Sequence, residues 1–370
     1  MKYILYLLFL PLSLLADNGT FYMSGSHLVP ATETDISLNK EVLAIKRINN
    51  NQVKVTVYYE FFNPSNAKML TVGFEAPSPI RGQNGVSPSK DHHPYIADFS
   101  IEMNNYRLSH KITLTPDGLP FKNSRANSLT DDEAFALEKK RSGFNYLYYI
   151  NANFQKGLNK VMHTYTFQLS KDIHHYYAFK YNMSSAMQWA NKQIDDFTLA
   201  IDMGEYQDFF IPNVSFSSSV KPNLIGVGRI IDKTTIIIGS DDYSGYNDRT
   251  RFIIKNGHIE YNISSFHPKE ELFVYSPCFQ PANKESFDYR KQATLPFSNQ
   301  ANTLYEFYSN PISRQIIWTL PFARRGYIST TPIVQDYFSR QVWYIADPDY
   351  RCRMETLTIE EQEMVEYFAR

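Results

Sequence analysis

VKVTVYYEF, residues 53–61, decides the reading of this chain: Val53, Val55, Val57, Tyr59 and Phe61 fall on one phase, and Lys54, Thr56, Tyr58 and Glu60 on the other. Side chains along a strand alternate between its two faces, so this is a strand with one buried and one solvated face. The same alternation returns in Tyr165, Phe167 and Leu169 against Thr164, Thr166 and Gln168, and in Phe197, Leu199 and Ile201 against Asp196, Thr198 and Asp202. Phe252 and Ile254, then Asn256-Gly257, then Ile259, Tyr261 and Ile263 read as a hairpin, because Asn-Gly tolerates positive φ at both central positions of a two-residue turn.

Repeated strands without helix–strand alternation predict an all-β N-terminal region over residues 17–278, built as one or two antiparallel β-sandwiches. One helix interrupts it, where Thr130 and Glu133 make a capping box ahead of Ala134, Phe135 and Leu137. Pro, Gly and Ser spread through 77–95 predict a loop.

Periodicity fails over 279–300, which predicts a linker, and beyond it the pattern turns helical. Ile312, Ile316, Ile317 and Leu320 share one face; Thr331-Pro332 opens a second helix with Ile333, Val334, Tyr337 and Phe338 inward; Thr358 and Glu361 cap a third carrying Met364, Val365 and Phe368. The expected architecture is therefore multidomain, an all-β region followed by a small all-α module at 301–370.

Lys+Arg number 37 against 38 Asp+Glu in 370 residues, a net charge of -1 that excludes whole-molecule attraction to nucleic acid. Mean hydropathy is -0.39, which argues against a polytopic membrane protein. Lys2, the apolar run Tyr3 to Leu15 and the small Ala16 read as a signal peptide over 1–16, so the mature chain is expected to be exported, periplasmic or extracellular, without a transmembrane helix. Cys278 and Cys352 are then free to pair as a disulfide, or to serve as two buried small hydrophobes.

Motifs of known chemistry are missing. Adjacent strand residues point to opposite faces, so Asp91-His92-His93 and Asp172 with His174-His175 make poor metal sites. Asp241, Asp242 and Asp248 lie in a polar turn, and Gly226-x-Gly228 lacks the third glycine of a dinucleotide loop. There is no G-x-S-x-G and no H-E-x-x-H, so no catalytic residue, metal or cofactor is predicted.

The helical region has the more telling charge pattern. Six arginines lie between Arg314 and Arg353, five glutamates between Glu355 and Arg370, and no lysine occurs. Guanidinium holds carboxylate bidentately and stacks on aromatic rings. The arginines therefore either pair with the third helix's glutamates and hold the helices together, or form a pocket for an acidic ligand from Arg324, Arg325, Tyr327, Trp343 and Tyr344.

Phe322-Ala323-Arg324-Arg325-Gly326, Ile328, Val334-Gln335-Asp336-Tyr337-Phe338, Trp343-Tyr344, Pro348-Asp349-Tyr350 and Leu357-Thr358-x-Glu360-Glu361 resemble, in order and spacing, the YARHG domain of bacterial extracellular proteins. The chain departs from the pentapeptide at Phe322, where the family has Tyr, and at Arg325, where it has His. Tyr58 to Pro64, His163 to Phe167 and Trp189-Ala190-Asn191 are similar, more weakly, to uncharacterised β-rich domains of secreted bacterial proteins. The resemblance implies an exported cell-envelope binding or interaction protein without catalytic activity, associating with cell-wall material. The alternative is an envelope hydrolase with its site in the β region.

Overall fold

The computed structural model describes residues 23–78, 90–140, 143–171, 174–216, 219–232, 248–268, 270–278, 287–291, 294–298 and 310–369. The signal-peptide reading at 1–16 and the residues Asp172, Asp241 and Asp242 lie outside them. The chain opens with β1 (Met23–Ser26), β2 (Leu28–Pro30), β3 (Ser37–Asn49), β4 (Gln52–Asn63) and β5 (Lys68–Pro77). Next come β6 (Ile96–Met103), β7 (Tyr106–Arg107), β8 (Lys111–Pro116) and the small pair β9 (Phe121–Lys122) and β10 (Arg125–Ala126). Helix α1 (Asp131–Lys139), with the expected Thr130–Glu133 capping box, precedes β11 (Phe144–Phe154), β12 (Gly157–Gln168) and β13 (His175–Asn182). A 3-10 turn (Ser184–Gln188) leads into β14 (Ile194–Asp202), β15 (Gln207–Pro212), β16 (Asn223–Ile231), β17 (Arg249–Phe266) and β18 (Leu272–Pro277). The helices α2 (Pro311–Arg324), α3 (Pro332–Ser339) and α4 (Ile359–Ala369) follow.

Twelve strands form the larger sheet in the order β1-β13-β18-β15-β17-β14-β3-β4-β12-β6-β7, with β16 joined to β17. A four-stranded sheet runs β2-β5-β11-β8. The residues of 53–61 alternate as the sequence demands: Val53, Val55, Val57, Tyr59 and Phe61 are fully buried, and the intervening residues are partly or wholly exposed. Their buried face shares one apolar core with Val72 and Phe74 of β5 and with Tyr146 and Ile150 of β11, so the two sheets enclose a common interior. The larger sheet is mixed rather than purely antiparallel, because β1 pairs with β13 and β14 with β3 in parallel, whereas every pair of the four-stranded sheet is antiparallel.

The expected hairpin at Asn256-Gly257 is instead the middle of β17, a continuous strand of 18 residues. Its first half pairs with β15 and its second half with β14, while β16 runs along its opposite edge past both. Gly257 lies directly opposite Gly226 in that ladder, with φ of 100° and 134° respectively. A Cβ at Gly257 would fall 2.0 Å from the Ile225 carbonyl oxygen, and one at Gly226 would fall 2.3 Å from that of Asn256. The conformational freedom of glycine therefore serves the close approach of two backbones, not a chain reversal.

The stretch expected to be a linker is, in its described residues 287–291 and 294–298, packed against both sheet and helices. Phe287, Leu295 and Phe297, from the stretch expected to be a linker, are buried in one cluster with Ile316, Ile317 and Leu320 of α2, Val334 and Phe338 of α3 and Trp343. Ile253 of β17 belongs to the same cluster, so the helices are built onto the outside of the larger sheet. The described residues of that stretch, 287–291 and 294–298, are irregular chain without strand or helix periodicity, and their backbone is held by the module, as where the Gln341 side chain accepts from the Leu295 N–H at 3.1 Å. Ile333, expected inward, is instead exposed at the start of α3.

Replacing Gly257 by Ala places a methyl group against the β16 backbone at a φ that L-residues rarely adopt. The expected cost is about 2 kcal/mol or more. Urea unfolding measures it, and a loss below about 0.5 kcal/mol would contradict the glycine crossing.

Candidate functional site

Arg324 and Arg325 do not reach outward. Both side chains are buried and converge on Glu361 of α4, with Arg324 Nη1 at 3.3 Å from Oε1 and Arg325 Nη2 at 2.7 Å from Oε2. Arg324 also donates to the Pro296 carbonyl, and Arg325 to those of Pro321 and Thr356. Burial pushes the Arg324 guanidinium down to about 10, against the opposing pull of Glu361. Glu361 accepts as well from the Thr358 N–H at 3.2 Å, while its own N–H donates to Thr358 Oγ1, completing the expected capping box. One carboxylate thus caps α4 and neutralises the end of α2.

The aromatic residues assigned with them are also structural. Trp343 is buried and donates its indole N–H to the Leu295 carbonyl at 2.6 Å. Tyr344 donates its hydroxyl to the Tyr327 carbonyl at 2.9 Å, and Tyr327 is half-buried. The pocket reading of Arg324, Arg325, Tyr327, Trp343 and Tyr344 is therefore corrected: the two guanidiniums, the Trp343 indole and the Tyr344 hydroxyl are engaged in holding the helices, and Tyr327 takes part through its backbone carbonyl. The sheet takes part, since Lys255 of β17 donates to the Arg325 carbonyl at 2.6 Å and the Arg325 guanidinium stacks 4.7 Å above Tyr206. Cys278 and Cys352 are not joined by a disulfide; Cys352 is exposed and Cys278 half-buried. Of the histidine pairs, His92 is exposed whereas His93 is buried, its Nδ1 accepting from the Tyr95 N–H at 3.0 Å. His175 is likewise buried, packed edge-on against Tyr275.

What the fold presents outward is the other face of β3, β4 and β12. Register places side chains across it in successive rungs, the first of Ser37, Phe62 and Leu158, the second of Lys40, Glu60 and Lys160, the third of Val42, Tyr58 and Met162. Phe62 is 43% exposed, Leu158 51% and Met162 37%, so two apolar rungs flank a charged one. The charged rung is preset: Tyr58 donates its hydroxyl to Glu60 at 2.7 Å, and Lys40 lies 2.6 Å from Asp196 of β14. Desolvation and then Glu60 push the Tyr58 hydroxyl up to about 12, which keeps it a neutral donor. Lys40 is held charged by Asp196. Partly aromatic and partly charged, such a face can stack against planar or sugar-like surfaces and offer charge between them.

Sequence reasoning passed over this face although its signal was present. Phe62, Leu158 and Met162 are apolar residues on the phase of the alternation that otherwise holds Lys54, Glu60 and Lys160. The converse signal marks Glu41 and His163, polar residues on the buried phase with Leu43, Val161 and Tyr165.

Glu361→Gln removes the carboxylate that, among the described residues, pairs with both buried guanidiniums. Breaking one member of such a buried group costs about 3–5 kcal/mol, seen as a lower thermal midpoint with early loss of helical signal. A midpoint unchanged within error would mean that the arginines find other anions.

No family model matches the sequence, and no curated protein matches it. Among solved structures, the chain is similar to a Legionella pneumophila chain named as a candidate nutrient-binding protein, with TM-score 0.47 and 15% identity over 95% of this chain and 99% of that one. It is similar also to baculovirus P35, with TM-score 0.25 and 10% identity over 66% and 98% of the two chains. An M1 zinc metallopeptidase from Deinococcus radiodurans gives TM-score 0.25 and 8% identity over 78% and 54%. At these scores the likenesses carry nothing about what this chain binds.

Proposed function

We propose that this chain is an exported, non-catalytic binding protein of the bacterial cell envelope that engages cell-wall material through the outward face of β3, β4 and β12. The observation that carries the proposal is the exposed pair Phe62 and Leu158, directly opposed across two central strands of a sheet and therefore held in place without cost to the ligand. Aromatic and apolar rungs suit the apolar faces of sugars, and the Lys40, Glu60, Lys160 rung suits the charges of attached peptides. Export rests on the Lys2, Tyr3 to Leu15 and Ala16 pattern, and the envelope setting on the resemblance of the helical region to YARHG modules. We read the two sheets, which share one core, as layers of a sandwich.

Sedimentation with purified peptidoglycan tests the reading. The Phe62→Ala, Leu158→Ala double variant is expected to bind about tenfold more weakly, with a thermal midpoint close to the parent because both side chains are exposed. Equal binding by a folded double variant would discard the face as the site. Release of soluble fragments by the unaltered protein would instead support the hydrolase.

A further inference from the structure

Ser26, His27 and Leu28 carry the chain from β1, on the edge of the larger sheet, to β2, on the edge of the smaller one, through the shared core. Besides the ladder pairings of Ser26 with Asn182 and of Leu28 with Phe74, their backbone is held by side chains. The His27 N–H donates to Ser185 Oγ at 3.1 Å and the Leu28 N–H to the Tyr59 hydroxyl at 3.4 Å. Tyr181 donates its hydroxyl to the Ser26 carbonyl at 3.2 Å, and the Trp189 indole donates to that of Leu28 at 2.9 Å. The His27 ring is wholly buried, with Nδ1 at 2.7 Å from Oε1 of the equally buried Glu41 on β3.

The groups facing this pair come from every neighbouring strand. Tyr59 lies on β4, His163 and Tyr165 on β12, and Tyr181 on β13, its ring set edge-on to His27 at 5.3 Å. From β5 comes the apolar Phe74, packed on His163, while Glu75 is engaged by Asn145. Apart from Glu41, then, the described neighbours of His27 are phenols, hydroxyls, apolar rings and one more imidazole. A dry site of this composition sets Glu41 against His27 and holds no second described carboxylate to balance a charge on His163.

We propose that His27, Glu41 and His163 form a proton-counting latch, which holds residues 23–30 in the core near neutrality and releases them in acid while β4 and β12 stay paired. The sign follows from the two environments. Burial, followed by the His27 charge, holds His163 down to about 3, so a released arm that lets water reach this imidazole allows proton uptake below the ordinary histidine value of about 6.5. The docked state is thus favoured above that value and progressively lost as pH falls below it. Burial acts oppositely on Glu41, raising it, with His27 pulling back, so this carboxyl favours the docked state at low pH and weakens it as pH rises. The arm should therefore be held most firmly where the two trends cross. One proton of difference changes the docking equilibrium about tenfold per pH unit.

Hydrogen exchange of the full chain, corrected for intrinsic rates, tests the latch. Between pH values of about 6.5 and 4.5 the amides of 23–30 should lose at least about tenfold protection, while those of 53–61 keep theirs. In His163→Phe, or in His163→Gln should that variant fold better, the loss should shrink to less than half. The proposal is overturned if the arm keeps its protection in acid, loses it only together with 53–61, or responds identically without His163. Should neither variant fold, acid loss of protection at 23–30 with 53–61 retained in the unaltered chain supports the latch, and retention of protection at 23–30 or joint loss with 53–61 overturns it.

Discussion

The structure depends on the desolvation of three residues. Ser26, His27 and Leu28 cross the interior where no water can pair with them, and an unmatched buried amide or carbonyl costs about 1–3 kcal/mol. Their partners, Ser185, Tyr59, Tyr181 and Trp189, come from distant parts of the sequence, so the satisfied crossing ties together β4, β13 and the turn after β13. In return the arm supplies a strand to each sheet, β1 beside β13 and β2 beside β5. The neighbouring Gly25 must be glycine, since a Cβ there would sit 2.2 Å from the Phe74 ring. Burial of His27 then requires an acceptor, and Glu41 is its price.

Glu361 plays the corresponding part among the helices. A carboxylate facing two guanidiniums and a helix N-terminus is stable in a dry site because each oxygen is matched by charged or polarised donors. Arginine suits this better than lysine, because the planar fork reaches backbone carbonyls on its other nitrogens, here those of Pro296, Pro321 and Thr356. The two arginines that invite a reading as a ligand pocket are therefore themselves enclosed.

The strands and helices were legible where burial is one-sided. Residues 53–61, 164–169 and 196–202 announce their faces, and Thr130 with Glu133 and Thr358 with Glu361 announce helix starts by local hydrogen bonding alone. Asn256-Gly257 misled because a two-residue turn and a glycine crossing place the same demand on φ; only the presence of Gly226 opposite separates them, and that is a long-range fact. The Arg324–Arg325 pair misled for a similar reason. Charge and spacing are local, whereas the burial that turns a pocket into a clamp comes from Pro296, Tyr206 and Lys255, all remote in sequence. The outward rungs of Phe62, Leu158 and Met162 required strand register, which pairs residues nearly a hundred positions apart.

The shared cluster of Ile253, Phe287, Leu295, Phe297 and the helices joins the described residues that follow β18 to both sheet and helices. Residues 301–370, transplanted alone into another protein, would leave behind the aromatic plate of Tyr206, the ammonium of Lys255 and the irregular strap that roofs Trp343. Any shuffling of such modules between proteins has therefore to carry the strap along and find a host sheet that already displays a matching landing surface. Inheritance by recombination is constrained here not by the helices themselves but by the strand they rest on.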